Sequence, residues 1–131
     1  MNKIRFITKK TVLYFHTKLI EEFGGINGIR DEGMLDSALA QAQIAIEGEY
    51  LHQDIFAMAA AYGFHLCRNH PFTDGNKRIA LVVMDTFLYM NGQELLAAEK
   101  DAYITMLELA AGNISKEQLA EWLRTNSRPL T

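Results

Sequence analysis

The stretch His70-Pro71-Phe72-Thr73-Asp74-Gly75-Asn76-Lys77-Arg78, here called the motif segment, lies between two segments that are apolar almost all round. The first covers about residues 53–69 and the second about residues 76–91. A helix that is apolar on every side belongs in a protein core. Pro71 cannot continue the first helix, and Gly75 favours a turn before the second. The sequence therefore predicts a central helix–loop–helix in which the motif segment joins two core helices.

Cap residues predict further helices on both sides of this hairpin, about six in all. Thr8 and Asp31 fit the N-caps of the first two helices. Apolar residues at helical spacing continue the second helix as far as Ile46. The last two helices are expected over about residues 98–111 and from Ser115 onward. Long strict alternation is absent, so the expected fold class is all-α.

Length and composition limit the classes of protein to which the chain can belong. The 131 residues correspond to one domain, residues 1–131. Cys67 is the single cysteine, which excludes a disulfide framework and a multi-cysteine zinc site. We see no apolar stretch typical of a signal peptide, and no run approaches the ~20 apolar residues of a membrane span. We therefore expect a cytoplasmic protein that binds no membrane. The formal net charge of −3 speaks against direct nucleic-acid binding.

A local basic cluster departs from the acidic balance of the chain. Arg68, Lys77 and Arg78 surround one acid, Asp74. Lys77 and Arg78 fall in the first turn of a predicted helix, where the helix dipole disfavours cations. An anion bound by the free N–H groups of that turn would offset the cost. The cluster therefore predicts a site for a small anion, such as a phosphate group, beside His70.

The motif segment resembles the signature of the Fic/Doc family, H-x-F-x-[DE]-G-N-G-R-x-x-R. Residues 24–35, GGINGIRDEGML, resemble the N-terminal signature of the Doc branch of that family. Length and helix order fit the family over nearly the whole chain. The resemblance implies a Fic/Doc-type helical bundle that uses ATP to modify a hydroxyl group of a protein.

The resemblance also implies roles for the residues of the motif segment. His70 would be the general base that deprotonates the target hydroxyl, and Asp74 would place magnesium or that hydroxyl. The phosphates of ATP would be held by Gly75, Asn76, Lys77 and Arg78, with Arg68 nearby; Asn76 could equally orient the loop. Independently of the family, a hydroxyl nucleophile needs a base near neutral pH, and phosphoryl transfer needs cations around the phosphate oxygens.

Two departures from the signature resemble the Doc branch: Lys77 replaces a glycine and Leu81 replaces an arginine. Members of that branch are "death on curing" toxins of phd–doc toxin–antitoxin modules and act as protein kinases. Their target is elongation factor Tu, whose modification inhibits translation. We therefore expect phosphoryl transfer from ATP. The alternatives are an adenylyltransferase of the broader Fic type and a catalytically silent binding or co-repressor module.

Residues 25–30, here called the flap, are too rich in glycine for a helix. The resemblance implies that Gly28, Ile29 and Arg30 pin the target peptide as an added strand. The inhibitory motif of Fic regulation, [ST]-x-x-x-E-[GN], is not evident, because Gln43 lies four residues before Glu47. We therefore expect control by a partner, an antitoxin whose disordered tail folds on the toxin.

Three further histidines, His16, His52 and His65, stand outside the motif segment. They belong to no motif, so we expect them at packing or surface positions. His65 lies five residues before His70, which is not a helical ligand spacing, so we expect no zinc site there. Phe72 is expected to be a buried anchor of the loop without a chemical role.

Overall fold

Six α-helices carry the fold over residues 3–130, which a computed structural model describes. They are α1 (Lys9–Phe23), α2 (Glu32–Ala40), α3 (Ile55–Asn69), α4 (Asn76–Met90), α5 (Glu99–Ala110) and α6 (Lys116–Thr125). A short 3-10 turn, Gln41–Gln43, follows α2. The predicted mainly helical bundle is therefore confirmed. The assignment of residues 1–131 to one domain stays a prediction.

Two small antiparallel sheets of two strands each complete the structure. β1 (Ala45–Ile46) pairs with β2 (Glu49–Tyr50), and β3 (Gln93–Leu95) pairs with β4 (Ser127–Pro129). The first hairpin overturns the prediction that the second helix continues to Ile46. Glu47 and Gly48 both have positive φ, 53° and 82°, which suits a tight hairpin turn and breaks a helix. Ile46 is 61% exposed, so its apolar spacing did not reflect burial.

Side-chain caps fix where four of the helices begin. Thr8, Asp31 and Ser115 accept hydrogen bonds from backbone N–H groups in the first turns of α1, α2 and α6, as the sequence predicts. Asp54 caps α3, so that helix begins at Ile55. At α5 the N-cap is Ala98, which has no side-chain acceptor, but Glu99 and Asp101 in the first turn complement the helix dipole.

Helices α3 and α4 pack against each other at the centre, and α3 also contacts α2, α5 and α6. Gly63 permits the close approach of α3 to α4, because a Cβ atom there would overlap Met84 Sδ and lie 2.7 Å from Met84 Cγ. Tyr62 and Phe87 are fully buried beside this contact. Within residues 3–130, no helix has the length and apolarity needed to cross a bilayer.

The contact between α5 and α6 includes the single tryptophan of the chain. Trp122 is half-buried on α6, and its Nε1 donates a 3.0 Å hydrogen bond to Asp101 Oδ2 on α5. This hydrogen bond links α6 to α5.

Candidate active site

His70 ends α3 with its side chain exposed and its backbone in the left-handed region, at φ 47° and ψ 53°. Few residues other than glycine adopt this conformation, and a rigid surrounding must maintain it. Arg30 supplies part of that surrounding. Its Nε donates to His70 O at 2.6 Å, and its Nη2 donates to Asn69 O at 2.9 Å. The guanidinium thus caps the carbonyl end of α3, so the structure places Arg30 behind the backbone of His70.

The flap runs antiparallel beside the motif segment. Arg30 N donates to Pro71 O at 2.8 Å, and Thr73 N donates to Gly28 O at 3.1 Å. These bonds flank a bridge between Ile29 and Phe72. In this pattern the N–H and C=O of Ile29 point away from Phe72. Within the described part of the chain, neither group has a hydrogen-bond partner.

Asn76, the first residue of α4, braces the loop from inside. Its Oδ1 accepts from Phe72 N at 3.0 Å, and its Nδ2 donates to Phe72 O at 2.9 Å. Both polar atoms of the amide therefore bind one backbone unit. The sequence leaves open whether Asn76 binds phosphate or orients the loop. In the structure its side-chain amide orients the loop.

Phe72 is 1% exposed, which confirms that it is a buried anchor. Its ring stacks on His16 of α1, with centroids 3.7 Å apart and planes inclined by 10°. His16 Nε2 lies 2.7 Å from Asp74 O. The sequence placed His16 among packing or surface residues, and no local pattern shows that it contacts a loop 58 residues away.

The carboxylate of Asp74 faces the flap. Its Oδ2 accepts a 2.8 Å hydrogen bond from Ile26 N, whereas Oδ1 has no partner within residues 3–130. Gly25 permits this approach, because a Cβ atom there would lie 3.3 Å from Asp74 Cβ. One carboxylate oxygen therefore holds the flap and the other remains free.

The N-terminus of α4 has neither a capping side chain nor an acidic residue in its first turn, whereas each of the other described α-helices has at least one of the two. Its N-cap is Gly75, at φ 81°, with no side-chain acceptor and no acid in the first turn. Lys77 and Arg78 are exposed, and neither forms an ion pair within residues 3–130. The Arg78 guanidinium lies 4.8 Å from the ring centroid of Phe23 at the end of α1. Free N–H groups and two cations thus meet at one helix end, a combination that attracts an anion.

Arg68 lies in a separate cleft. Its guanidinium is 5.5 Å from the ring centroid of Phe64, and it is the side chain that a Cβ atom at Gly112 would meet. The cleft has a volume of about 530 Å³ and is lined by these residues and by residues 113–118, at the start of α6. No residue of the motif segment lines it. The structure therefore brings together Gly75, Asn76, Lys77 and Arg78 but places Arg68 beside α6.

Two other histidines lie outside this constellation. His65 is half-buried on α3, and burial, together with the charges of Lys116 and His52, lowers its pKa to about 4. Burial likewise lowers the pKa of His52. Within residues 3–130, no three His, Cys, Asp or Glu side chains are grouped as metal ligands. The buried Cys67 is also a poor nucleophile, because burial raises the pKa of its thiol despite the nearby charges of Lys77 and Arg68.

In this helical bundle, an exposed histidine precedes a helix start that lacks a capping side chain and carries two cations. Such an arrangement is suited to chemistry on a phosphate-bearing substrate. The family model described as the Fic/DOC family matches residues 6–88, which contain both the flap and the motif segment. The chain belongs to the Fic/DOC family.

Two curated proteins resemble the chain. "Protein kinase doc" of Escherichia phage P1 is 31% identical over 121 residues, which cover 92% of this chain and 94% of that protein. "Toxin Doc" of Mycolicibacterium smegmatis is 43% identical over 75 residues. That alignment covers 57% of this chain and 58% of the toxin.

Proposed function

We propose that this chain is the toxin of a toxin–antitoxin pair and acts as a protein kinase, transferring the γ-phosphoryl group of ATP to a hydroxyl of a target protein. Its two relatives, one named a toxin and the other a protein kinase, support this class of activity. One observation carries the proposal: the exposed His70 is separated by a single braced loop from the uncapped start of α4, where Lys77 and Arg78 form no ion pair within residues 3–130.

His70 is the proposed general base. The target hydroxyl gives its proton to the imidazole while its oxygen forms a bond to the γ-phosphorus. The bond from that phosphorus to the bridging oxygen breaks, and ADP leaves. The Arg30 bonds to His70 O and Asn69 O support this role, because they hold the backbone that carries the base.

The start of α4 is the proposed phosphate site. Phosphoryl transfer places developing charge on phosphate oxygens, so positioned N–H groups and cations supply most of the catalysis. The first-turn N–H groups of α4 have no capping side chain to displace. Lys77 and Arg78 add positive charge at the same place, whereas Asn76 acts on the loop.

Asp74 fits the expected magnesium ion. Mg²⁺ in nucleotide sites commonly binds one or two carboxylates together with phosphate oxygens and water. The free Oδ1 of Asp74 provides one such ligand, while its Oδ2 stays bonded to Ile26 N. When bound, magnesium would neutralise charge on the phosphates. Within residues 3–130, Asp74 is the only acid of the motif segment, so we assign no second protein ligand.

The flap is the proposed docking edge for the target. The N–H and C=O of Ile29 point away from the motif segment and can pair with an extended peptide. Such a peptide would present its hydroxyl on the side of His70. From the family resemblance, we propose elongation factor Tu as the target and inhibition of translation as the result.

An antitoxin is the proposed source of control, with a tail that folds when it binds. The name of the mycobacterial relative, a toxin, supports such a pairing. Glu47-Gly48, the sequence nearest to the inhibitory motif, forms the exposed turn between β1 and β2 and does not belong to a helix.

Labelled ATP tests the reaction. Purified chain and a cell lysate are incubated with γ-labelled or α-labelled ATP, with His70→Ala beside the wild type. We expect γ-label on a protein band with the wild type and at least ~100-fold less with His70→Ala. His52→Ala, on a histidine far from the motif segment in sequence, is the matched control and should transfer normally. Label from neither position would refute any transferase function and favour the silent binding module.

Adenylyl transfer is the competing reaction, and Lys77→Gly tests it. The site lacks the glycine and the second arginine of the full Fic signature, because Lys77 and Leu81 stand at those positions. Lys77 lies in regular helix, and Leu81 packs against the core. If the Lys77 side chain determines the orientation of the bound nucleotide, Lys77→Gly should raise α-label transfer relative to γ-label transfer. Transfer of α-label by the wild type would establish the adenylyltransferase instead.

A further inference from the structure

His16 makes a buried contact with the motif segment that the proposed chemistry does not use. Its side chain is 2% exposed, and its ring stacks on Phe72. Its Nε2 lies 2.7 Å from Asp74 O. Because a carbonyl oxygen only accepts hydrogen bonds, Nε2 must carry the hydrogen and donate it.

The same ring lies beside the backbone that follows Asp74. A Cβ atom at Gly75 would lie 3.5 Å from His16 Nε2, and Gly75 is the N-cap of α4. His16 therefore contacts the loop at Phe72 and at Asp74 and lies beside Gly75. Asn76 fixes only the Phe72 end of this turn, through its two bonds to the Phe72 backbone. His16 shares the other end with the flap, which binds it through the bonds from Ile26 N to Asp74 Oδ2 and from Thr73 N to Gly28 O.

We propose that His16 is a positioning residue: it holds the Phe72–Gly75 turn so that His70 and the phosphate-binding start of α4 keep a fixed separation. This inference rests on the proposed function, because it concerns the geometry of that reaction. His16 lies behind Phe72 and acts through Phe72 and Asp74 without touching a substrate. A misplacement of about 1 Å in such a constellation costs up to ~100-fold in rate.

Two variants separate the parts of the contact. His16→Phe keeps an aromatic ring for stacking but removes the donor to Asp74 O. His16→Gln supplies an amide nitrogen at about the position of Nε2 but removes the ring. Val12→Ala is the matched control, because Val12 is a fully buried residue of the same helix and makes no hydrogen bond to the motif segment.

Kinetics of γ-label transfer give the first readout. We expect His16→Phe to lower kcat by about 10-fold to 100-fold with KM for ATP changed less than ~3-fold. His16→Gln should recover at least part of kcat, because it restores the donor. Val12→Ala should keep kcat near that of the wild type although it weakens the fold. A wild-type kcat in His16→Phe, or an equal loss of kcat in Val12→Ala, would overturn the proposal.

Amide hydrogen exchange of residues 73–78 gives a readout that needs no activity. If His16 positions the turn, exchange there should be at least ~10-fold faster in His16→Phe than in Val12→Ala under conditions where both are folded. Equal exchange in the two variants would overturn the proposal. A wild type that transfers no label, but whose His16→Phe variant shows the faster exchange, would refute the proposed function and leave the positioning role standing.

Discussion

The bracing amide of Asn76 allows a sharp test of how the loop is held. Asn76→Asp keeps the shape of the side chain and the acceptor for Phe72 N, but a carboxylate cannot donate to Phe72 O. Phe72 is buried, so its carbonyl loses its partner and faces a negative charge. Leaving a buried polar group unsatisfied costs about 1–3 kcal/mol. A negative charge in the first turn of a helix returns about 0.3–1 kcal/mol.

The free energy of unfolding should therefore fall by about 1–2 kcal/mol in Asn76→Asp. Asn76→Ala, which removes both hydrogen bonds, should lose about 2–4 kcal/mol. Urea unfolding measures the difference, and the midpoint of Asn76→Asp should drop by about 0.5–1 M. Asn27→Asp is the control, because Asn27 is exposed and its side chain makes no hydrogen bond within residues 3–130. It should change stability by less than ~0.5 kcal/mol.

Equal stability of Asn76→Asp and the wild type would refute the argument. So would a loss in Asn27→Asp as large as that in Asn76→Asp, because the effect would then come from added charge. A smaller loss in Asn76→Ala than in Asn76→Asp would show that the charge, and not the missing donor, disturbs the loop.

The α3–α4 contact and the half-buried His65 yield two further predictions. Gly63→Ala should lower the free energy of unfolding by about 1–3 kcal/mol, because the new Cβ atom would overlap Met84. Gly33→Ala, on the exposed face of α2, should raise the free energy of unfolding by about 0.5–1 kcal/mol. Thermal unfolding compares the two variants. Since the folded-state pKa of His65 is about 4, the unfolded chain takes up the proton first as pH falls from 6.5, so stability falls towards pH 4. His65→Gln should lose less stability between pH 7.5 and pH 5 by urea unfolding; an unchanged pH dependence would contradict this.

Local chemistry explains which parts of the fold were predictable. An N-cap joins a side chain to backbone two or three residues away, so Thr8, Asp31 and Ser115 could be identified from short sequence patterns. The apolar segments on both sides of the motif segment likewise identified the central helix pair. The prediction for Ile46 is wrong because its spacing continues the apolar stripe of α2, whereas the positive φ angles of Glu47 and Gly48 favour a hairpin turn.

Contacts between distant parts of the chain explain what was missed. His16 reaches Asp74 across 58 residues, and Arg30 reaches His70 across 40 residues. In a sequence, a histidine or an arginine is compatible with several roles. Only the packing of α1 and of the flap against the loop shows which role His16 and Arg30 have. Arg68 illustrates the same limit, because proximity in sequence to His70 did not predict that its side chain lies beside α6.

The bond between Trp122 and Asp101 determines what the intrinsic fluorescence of this protein reports. The single tryptophan lies on α6, outside residues 6–88, and its indole is tied to α5. Its emission therefore reports the surroundings of the indole, which include Asp101 of α5. Fluorescence-detected unfolding of the His16 and Asn76 variants thus follows the part of the fold around α6, where none of the substituted residues lies.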